Sequence, residues 1–185
     1  MKIVCLGDSL TYGYGVPRKD TWVTLLGEKY GVQAVNEGIN GDTTAGMIAR
    51  FESAVTGGGA THAVMTGGTN DLFNGVPLAV VQSNILTLVF HALGCGVRPV
   101  VGVPVPVVAG MARQSWPVFC DLEEVNRSLI DFRKWMFKMS ENVNFAVADF
   151  YGCVFEGGAL REDYYLDGLH LNAKGNRKLV EAVQF

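Results

Sequence analysis

Residues 1–15 read MKIVCLGDSLTYGYG: an apolar run, KIVCLG at 2–7, breaks directly into Asp8-Ser9-Leu10. A short run apolar at successive positions is the mark of a strand buried on both faces, as in a parallel sheet. Gly, Asp and Ser form turns for backbone reasons alone, so the turn by itself carries no chemistry. The fold depends on whether the strand-then-turn unit repeats. The chemistry depends on whether partners for the Ser9 hydroxyl appear later.

The unit does repeat. VQAVNEG (32–38), THAVMTGG (61–68), VRPVVGVP (97–104) and VNFAVADF (143–150) read as four further strands, mostly apolar on both faces. Helical patterns fill the gaps. One starts near Asp20 and carries Trp22, Leu25 and Leu26. A second follows Asp42-Thr43, which can cap it, and contains Met47, Ile48 and Phe51. A third opens at Pro77 and runs to about Gly94. The fourth spans roughly Asp121 to Glu141, with Leu122, Val125, Leu129, Phe132 and Met136 at helical spacing. The last runs from about Ala173 through Leu179 and Val183, and Gly57-Gly58-Gly59 reads as a loop. Repeated β-α units predict an α/β protein, a single three-layer α/β/α domain over residues 1–185 with a five-stranded parallel sheet.

Composition narrows the function classes. The 185 residues are 49% hydrophobic and 18% charged, ordinary for one globular domain, and 23 glycines suit many tight turns. A net charge of −3 with scattered Lys and Arg argues against a nucleic-acid partner. No apolar run is long enough to cross a bilayer; the most apolar stretch, residues 97–111, holds three prolines and reads as a strand and a loop. Lys2 is followed by only four apolar residues, too short for the core of a secretory signal. The four cysteines are far apart, with neither a CxxC pair nor metal-ligand spacing, and fit free thiols of a reducing compartment. The expected location is the cytoplasm.

In an open α/β sheet the site lies beyond the carboxyl ends of the strands. Those ends carry Asp8-Ser9, the segment 36–43 with Gly41 and Asp42, Asn70-Asp71, and, after the fifth strand, Asp167-Gly168-Leu169-His170. A serine hydroxyl needs a base to become a nucleophile. Of the three histidines, His62 begins a strand at the opposite end and His91 sits within a helix, which leaves His170. Asp167, three residues earlier, can hold the imidazole in the tautomer that frees Nε2. Candidate donors to a tetrahedral oxyanion are the N–H groups of Ser9 and Gly41 and the Asn70 amide. Asp8 and Asp71 read as support for turns and caps near the site, and Leu72, Phe73 and Trp116 as substrate-pocket residues, with Trp116 exposed enough to stack on a sugar.

GDSL at 7–10, Gly41 in NGDT, Gly68-Thr69-Asn70-Asp71 and the D-x-x-H at 167–170 together resemble the four blocks of the SGNH (GDSL) hydrolase family. The resemblance implies a flavodoxin-like α/β/α fold and a serine esterase or acylhydrolase. It implies Ser9 as nucleophile, His170 as base, Asp167 as its orienting acid, and Ser9, Gly41 and Asn70 as oxyanion donors. Many members have proline after the histidine, where this chain has Leu171.

The expected reaction is hydrolysis of a small-molecule ester through an acyl-enzyme on Ser9, with no cofactor or metal. Small acyl or aryl esters, acetylated sugars, thioesters and lysophospholipids all remain open as substrates, and the sequence does not give the oligomeric state. An α/β-hydrolase is disfavoured, because its G-x-S-x-G elbow is absent from this first strand. Two alternatives stand: a metal-dependent phosphoesterase built on the strand-end aspartates, and a flavodoxin-like module that binds a small ligand without chemistry.

Overall fold

The structure is a computed structural model that describes residues 1–185. In chain order its elements are β1 (Lys2–Gly7), α1 (Ser9–Tyr12), α2 (Trp22–Tyr30), β2 (Gln33–Gly38), α3 (Thr44–Ala49), β3 (His62–Thr66), α4 (Thr69–Phe73) and α5 (Leu78–Gly94). They continue with β4 (Arg98–Gly102), α6 (Ala109–Ser115), α7 (Leu122–Ser140), β5 (Ala146–Ala148), α8 (Phe150–Cys153), β6 (Phe155–Glu156), β7 (Ala159–Leu160) and α9 (Ala173–Ala182). β1 to β5 form one parallel sheet in the order β2-β1-β3-β4-β5. This doubly wound order reverses between β1 and β3, and the crevice at such a reversal is where ligands bind.

Two cores follow from the two-residue period of the strands. In β1, Ile3 and Cys5 face a cluster with Trp22, Leu26, Phe150 and Leu179, beneath α2, α8 and α9. Val4 and Leu6 face the other, with Met47, Ile85 and Phe132 beneath α3, α5 and α7. The helices thus lie in layers on both faces, and each fully buried aliphatic or aromatic side chain contributes about 1.5–3 kcal/mol. No helix is long and apolar enough to cross a membrane.

Several boundaries differ from expectation for local reasons. β2 is an edge strand and only half-buried, not apolar-packed on both faces, because β1 alone pairs with it. The helix expected near Asp20 starts at Trp22: Asp20 lies in a 3-10 turn, Arg18–Asp20, and Thr21 is the cap, accepting from the Thr24 N–H. Thr43 caps α3 through the Gly46 N–H, while the Asp42 carboxylate turns to Arg50. Pro77 is the residue before α5 rather than its first turn, and β5 keeps only three of the residues read as strand. Part of the stretch read as loop after the fourth strand is helical, as α6. The β6–β7 hairpin was not foreseen; its turn is Gly157-Gly158, with φ of +59° and +82°.

Candidate active site

β1 ends at Gly7, and the chain turns at once into α1. The Asp8 carboxylate caps that helix by accepting from the Leu10 N–H at 2.9 Å. Ser9 is therefore the first residue of a helix at a strand's carboxyl end, half-buried, with its side chain at the mouth of the crevice.

The partners arrive from the far end of the chain. Residues 165–171 form a tight loop, closed by an antiparallel bridge between Tyr165 and Leu171 and by the Leu166 N–H donating to the His170 carbonyl at 2.8 Å. Leu171, buried at the position where the resemblance expects proline, takes part in that bridge, so pairing rather than a proline ring fixes the loop. Within the loop the Asp167 Oδ1 accepts from the N–H groups of Leu169 at 2.9 Å and His170 at 2.7 Å. Its Oδ2 lies 2.7 Å from His170 Nδ1, and His170 Nε2 lies 2.9 Å from Ser9 Oγ.

Burial alone would raise the Asp167 carboxyl, but the His170 and Leu169 N–H bonds and the imidazole hold it below its ordinary value. An ionised carboxylate only accepts, so Nδ1 carries the hydrogen and Nε2 accepts from the serine hydroxyl. The Tyr14 ring lies 4.3 Å from the imidazole, centroid to centroid, and Trp116 meets it edge-on at 5.7 Å.

Three donors face the same space. Gly41 sits in a turn closed by the Asp42 N–H to the Ile39 carbonyl at 3.1 Å, with φ +77°, a conformation glycine adopts without strain. Neither its N–H nor that of Ser9 makes a hydrogen bond within the chain. The Asn70 Nδ2 donates to the Asp42 carbonyl at 2.8 Å, which fixes the amide and leaves its second hydrogen free. The structure thus brings Ser9, Gly41, Asn70, Asp167 and His170 to one crevice. His62 is at the opposite sheet edge beside Thr61 and Phe185, and His91 lies on α5 against Phe51.

The other aspartates are held by neighbours. Asp71, buried, accepts from the Thr44 N–H at 2.9 Å and the Thr44 hydroxyl at 2.6 Å, tying α4 to the start of α3. Asp8 is 2% exposed. Burial pushes its carboxyl up to about 7, and the charges of Asp42 and Asp71 add to the rise against the Leu10 N–H.

Between an unfolded value of about 3.9 and the folded value, the native state keeps a proton that the unfolded chain has lost, so stability falls as pH rises. His62, lowered by burial, contributes the opposite slope near neutrality, so the comparison must be with a variant lacking Asp8 ionisation. Relative to wild type, Asp8→Asn is expected to gain stability progressively from pH 4 to pH 7, by up to about 1.4 kcal/mol per unit. Urea unfolding at several pH values measures the difference, and parallel curves would contradict it.

The crevice opens into a cavity of about 630 Å³. Ser9, Gly41, Asn70 and His170 give it a polar set, and Tyr14, Phe73, Trp116, Val118, Phe119 and Leu122 an apolar one. Leu72 does not line it, contrary to expectation. On α4, Asn70 and Phe73 are three residues apart and share a face, whereas Leu72 packs inward on the cores under α5 and α7. Trp116 lines the cavity but is half-buried and packs T-shaped on His170, rather than standing as an open stacking platform. Phe119, which the sequence reading missed, is the most exposed aromatic of the cavity, at 95%. Its segment has no periodicity that could have marked it, whereas Tyr14 stood in the same opening stretch as Ser9.

Known proteins resemble this chain in sequence and in fold. An arylesterase from Vibrio mimicus is 32% identical over 93 residues, 48% of this chain and 46% of that protein. Esterase TesA of Pseudomonas aeruginosa is 30% identical over 101 residues, 52% and 50% of the two chains. These matches span about half the length of each relative. A solved structure of a lipolytic G-D-S-L family member from Veillonella parvula superposes with a TM-score of 0.82 at 22% identity, over 98% of this chain and 95% of that one. The model of the GDSL-like lipase/acylhydrolase family matches residues 5–178, and the chain belongs to that family.

Proposed function

We propose that this protein is a serine-dependent hydrolase of carboxylic esters that works through an acyl-enzyme on Ser9, with residues 1–185 forming a single catalytic domain. The observation that carries the reading is the unbroken line from Ser9 Oγ through His170 at 2.9 Å to Asp167 at 2.7 Å, beside three donors with free hydrogens. As Oγ attacks the ester carbonyl, Nε2 takes its proton. The carbonyl oxygen gains the charge and rests among Ser9 N–H, Gly41 N–H and the Asn70 amide, each such donor being worth on the order of 3 kcal/mol. The imidazolium, stabilised by Asp167, then protonates the leaving alcohol, and neutral His170 next activates the water that releases the acid.

The aspartates speak against the phosphoesterase alternative. Asp42 is engaged by Arg50, Asp71 by Thr44 and Asp167 by His170, and no three His, Cys, Asp or Glu side chains converge as a ligand set. The apolar half of the cavity suits a small acyl or aryl group, in keeping with relatives named arylesterase and esterase. Thioesters, lysophospholipids and acetylated sugars are further substrates to assay. The four unpaired cysteines fit work in the cytoplasm.

Initial rates on p-nitrophenyl acetate, butyrate and octanoate, with and without EDTA, test the reading. Turnover that ignores EDTA is expected; turnover abolished by EDTA would overturn it. Phe73→Ala in the same series is expected to lower kcat/KM for butyrate by about tenfold and for acetate by less. Equal losses on all three esters would remove Phe73 from the acyl site.

A further inference from the structure

Arg50 follows α3 and lines no part of the cavity, yet it ties the end of β1, next to Ser9, to the Gly41 turn that holds Asn70. Its Nε donates to Asp42 Oδ2 at 2.8 Å, and Nη2 lies 2.7 Å from the same oxygen as an ion pair. Nη2 also donates to the Gly7 carbonyl at 3.0 Å, two residues before Ser9. The same carbonyl accepts from the Ile39 N–H at 2.9 Å, the residue that opens the Gly41 turn. Asp42, which follows Gly41, closes that turn with its own N–H and holds the Asn70 amide at 2.8 Å with its own carbonyl. The pair is shielded, with side chains 17% and 10% exposed, so it is a fixed strut rather than a solvated surface contact.

We infer that Arg50 and Asp42 are positioning residues of this site: the pair sets the separation of the Ser9 N–H, the Gly41 N–H and the Asn70 amide and so tunes the oxyanion hole without touching substrate. The inference rests on the oxyanion role proposed for Gly41 and Asn70. A donor set is productive only where its hydrogens meet the developing charge, so displacing the strut acts on kcat and leaves ground-state binding alone. Losing the guanidinium leaves the Ile39 N–H as the turn's remaining bond to the Gly7 carbonyl and removes the Arg50 anchor of Asp42, the residue that aims Asn70.

Four proteins on p-nitrophenyl butyrate test this: wild type, Arg50→Gln, Asn70→Ala and the double variant, each first shown folded by its thermal melt. Arg50→Gln is expected to lower kcat roughly 10- to 100-fold with KM within about twofold, and to cost several-fold less when Asn70 is already alanine, since one of the three donors it positions is then gone. Arg50→Lys keeps the charge on Asp42 and loses the second nitrogen, so an intermediate kcat is expected. Wild-type kcat in Arg50→Gln, or losses that multiply in the double variant, would overturn the inference while leaving the oxyanion role of Asn70 intact. Wild-type kcat in Asn70→Ala would instead sink that role and the inference with it. Where Arg50→Gln melts below the assay temperature, Arg50→Lys alone and with Asn70→Ala decides by the same two criteria.

Discussion

Alanine at Ser9 or at His170 is expected to remove turnover, lowering kcat on a good p-nitrophenyl ester by roughly 10⁴-fold or more. The two side chains are parts of one proton path, 2.9 Å apart, so the Ser9→Ala/His170→Ala double variant should be hardly worse than either single change. Ser9→Ala removes little packing, because Ser9 is half-buried and makes its one side-chain bond to His170; His170 is itself buried, so the melt of its variant is read beside the rate. Loss of rate without loss of fold is thus the specific expectation, read from kcat beside a thermal melt. Multiplying losses, or wild-type kcat in either single variant, would mean that the 2.9 Å contact is not on the reaction path.

Gly168→Ala is expected to damage stability and activity together. Gly168 has φ +87°, and a Cβ there would lie 2.4 Å from the Ala112 nitrogen, 2.6 Å from the Val108 oxygen and 2.9 Å from Met111 Cβ. Two of these are backbone atoms of α6 and its cap, which cannot rotate away, and the Gly168 carbonyl is itself held by the Val108 N–H at 2.9 Å. Strain plus overpacking costs about 3 kcal/mol or more, a fall in Tm of roughly 6–12 °C for a chain of this size. Because Gly168 sits between Asp167 and His170, the displaced loop misaligns the imidazole. A shift near 1 Å is worth roughly 100-fold in kcat. Gly41→Ala makes the control for the melt: φ is +77° there, but no atom lies within 4 Å of the added carbon, so the fold feels strain alone. A Gly168→Ala protein melting with wild type would contradict the placement of this loop on α6.

The features legible in the sequence were those written locally. Apolar runs marked all five strands of the sheet, and their carboxyl ends marked the site, since a doubly wound sheet gathers its strand ends. Ser9 and Asn70 follow the ends of β1 and β3 and Gly41 lies in the loop after β2, whereas Asp167 and His170, well beyond β5, were legible by their D-x-x-H spacing. Features that depend on a partner distant in sequence were not legible. Leu72 and Phe73 are adjacent and both apolar; only the packing of α4 on the cores under α5 and α7 turns one inward and the other to the cavity. The Asp71–Thr44 bond joins α4 to α3 across 27 residues, and Arg50 reaches Gly7 across 43. The β6–β7 hairpin is a different case, because Gly157-Gly158 is a local turn signal that period-counting over so short a strand overlooks.

The central claim is that Ser9 Oγ is the atom that attacks. Incubation with a p-nitrophenyl phosphonate ester, followed by mass mapping of peptides, tests it most directly. The account predicts one phosphonyl group on the peptide carrying Ser9, release of one equivalent of p-nitrophenolate, parallel loss of esterase activity, and no adduct in Ser9→Ala. Full inactivation with the adduct on another residue, or esterase activity that survives complete labelling of Ser9, would contradict it.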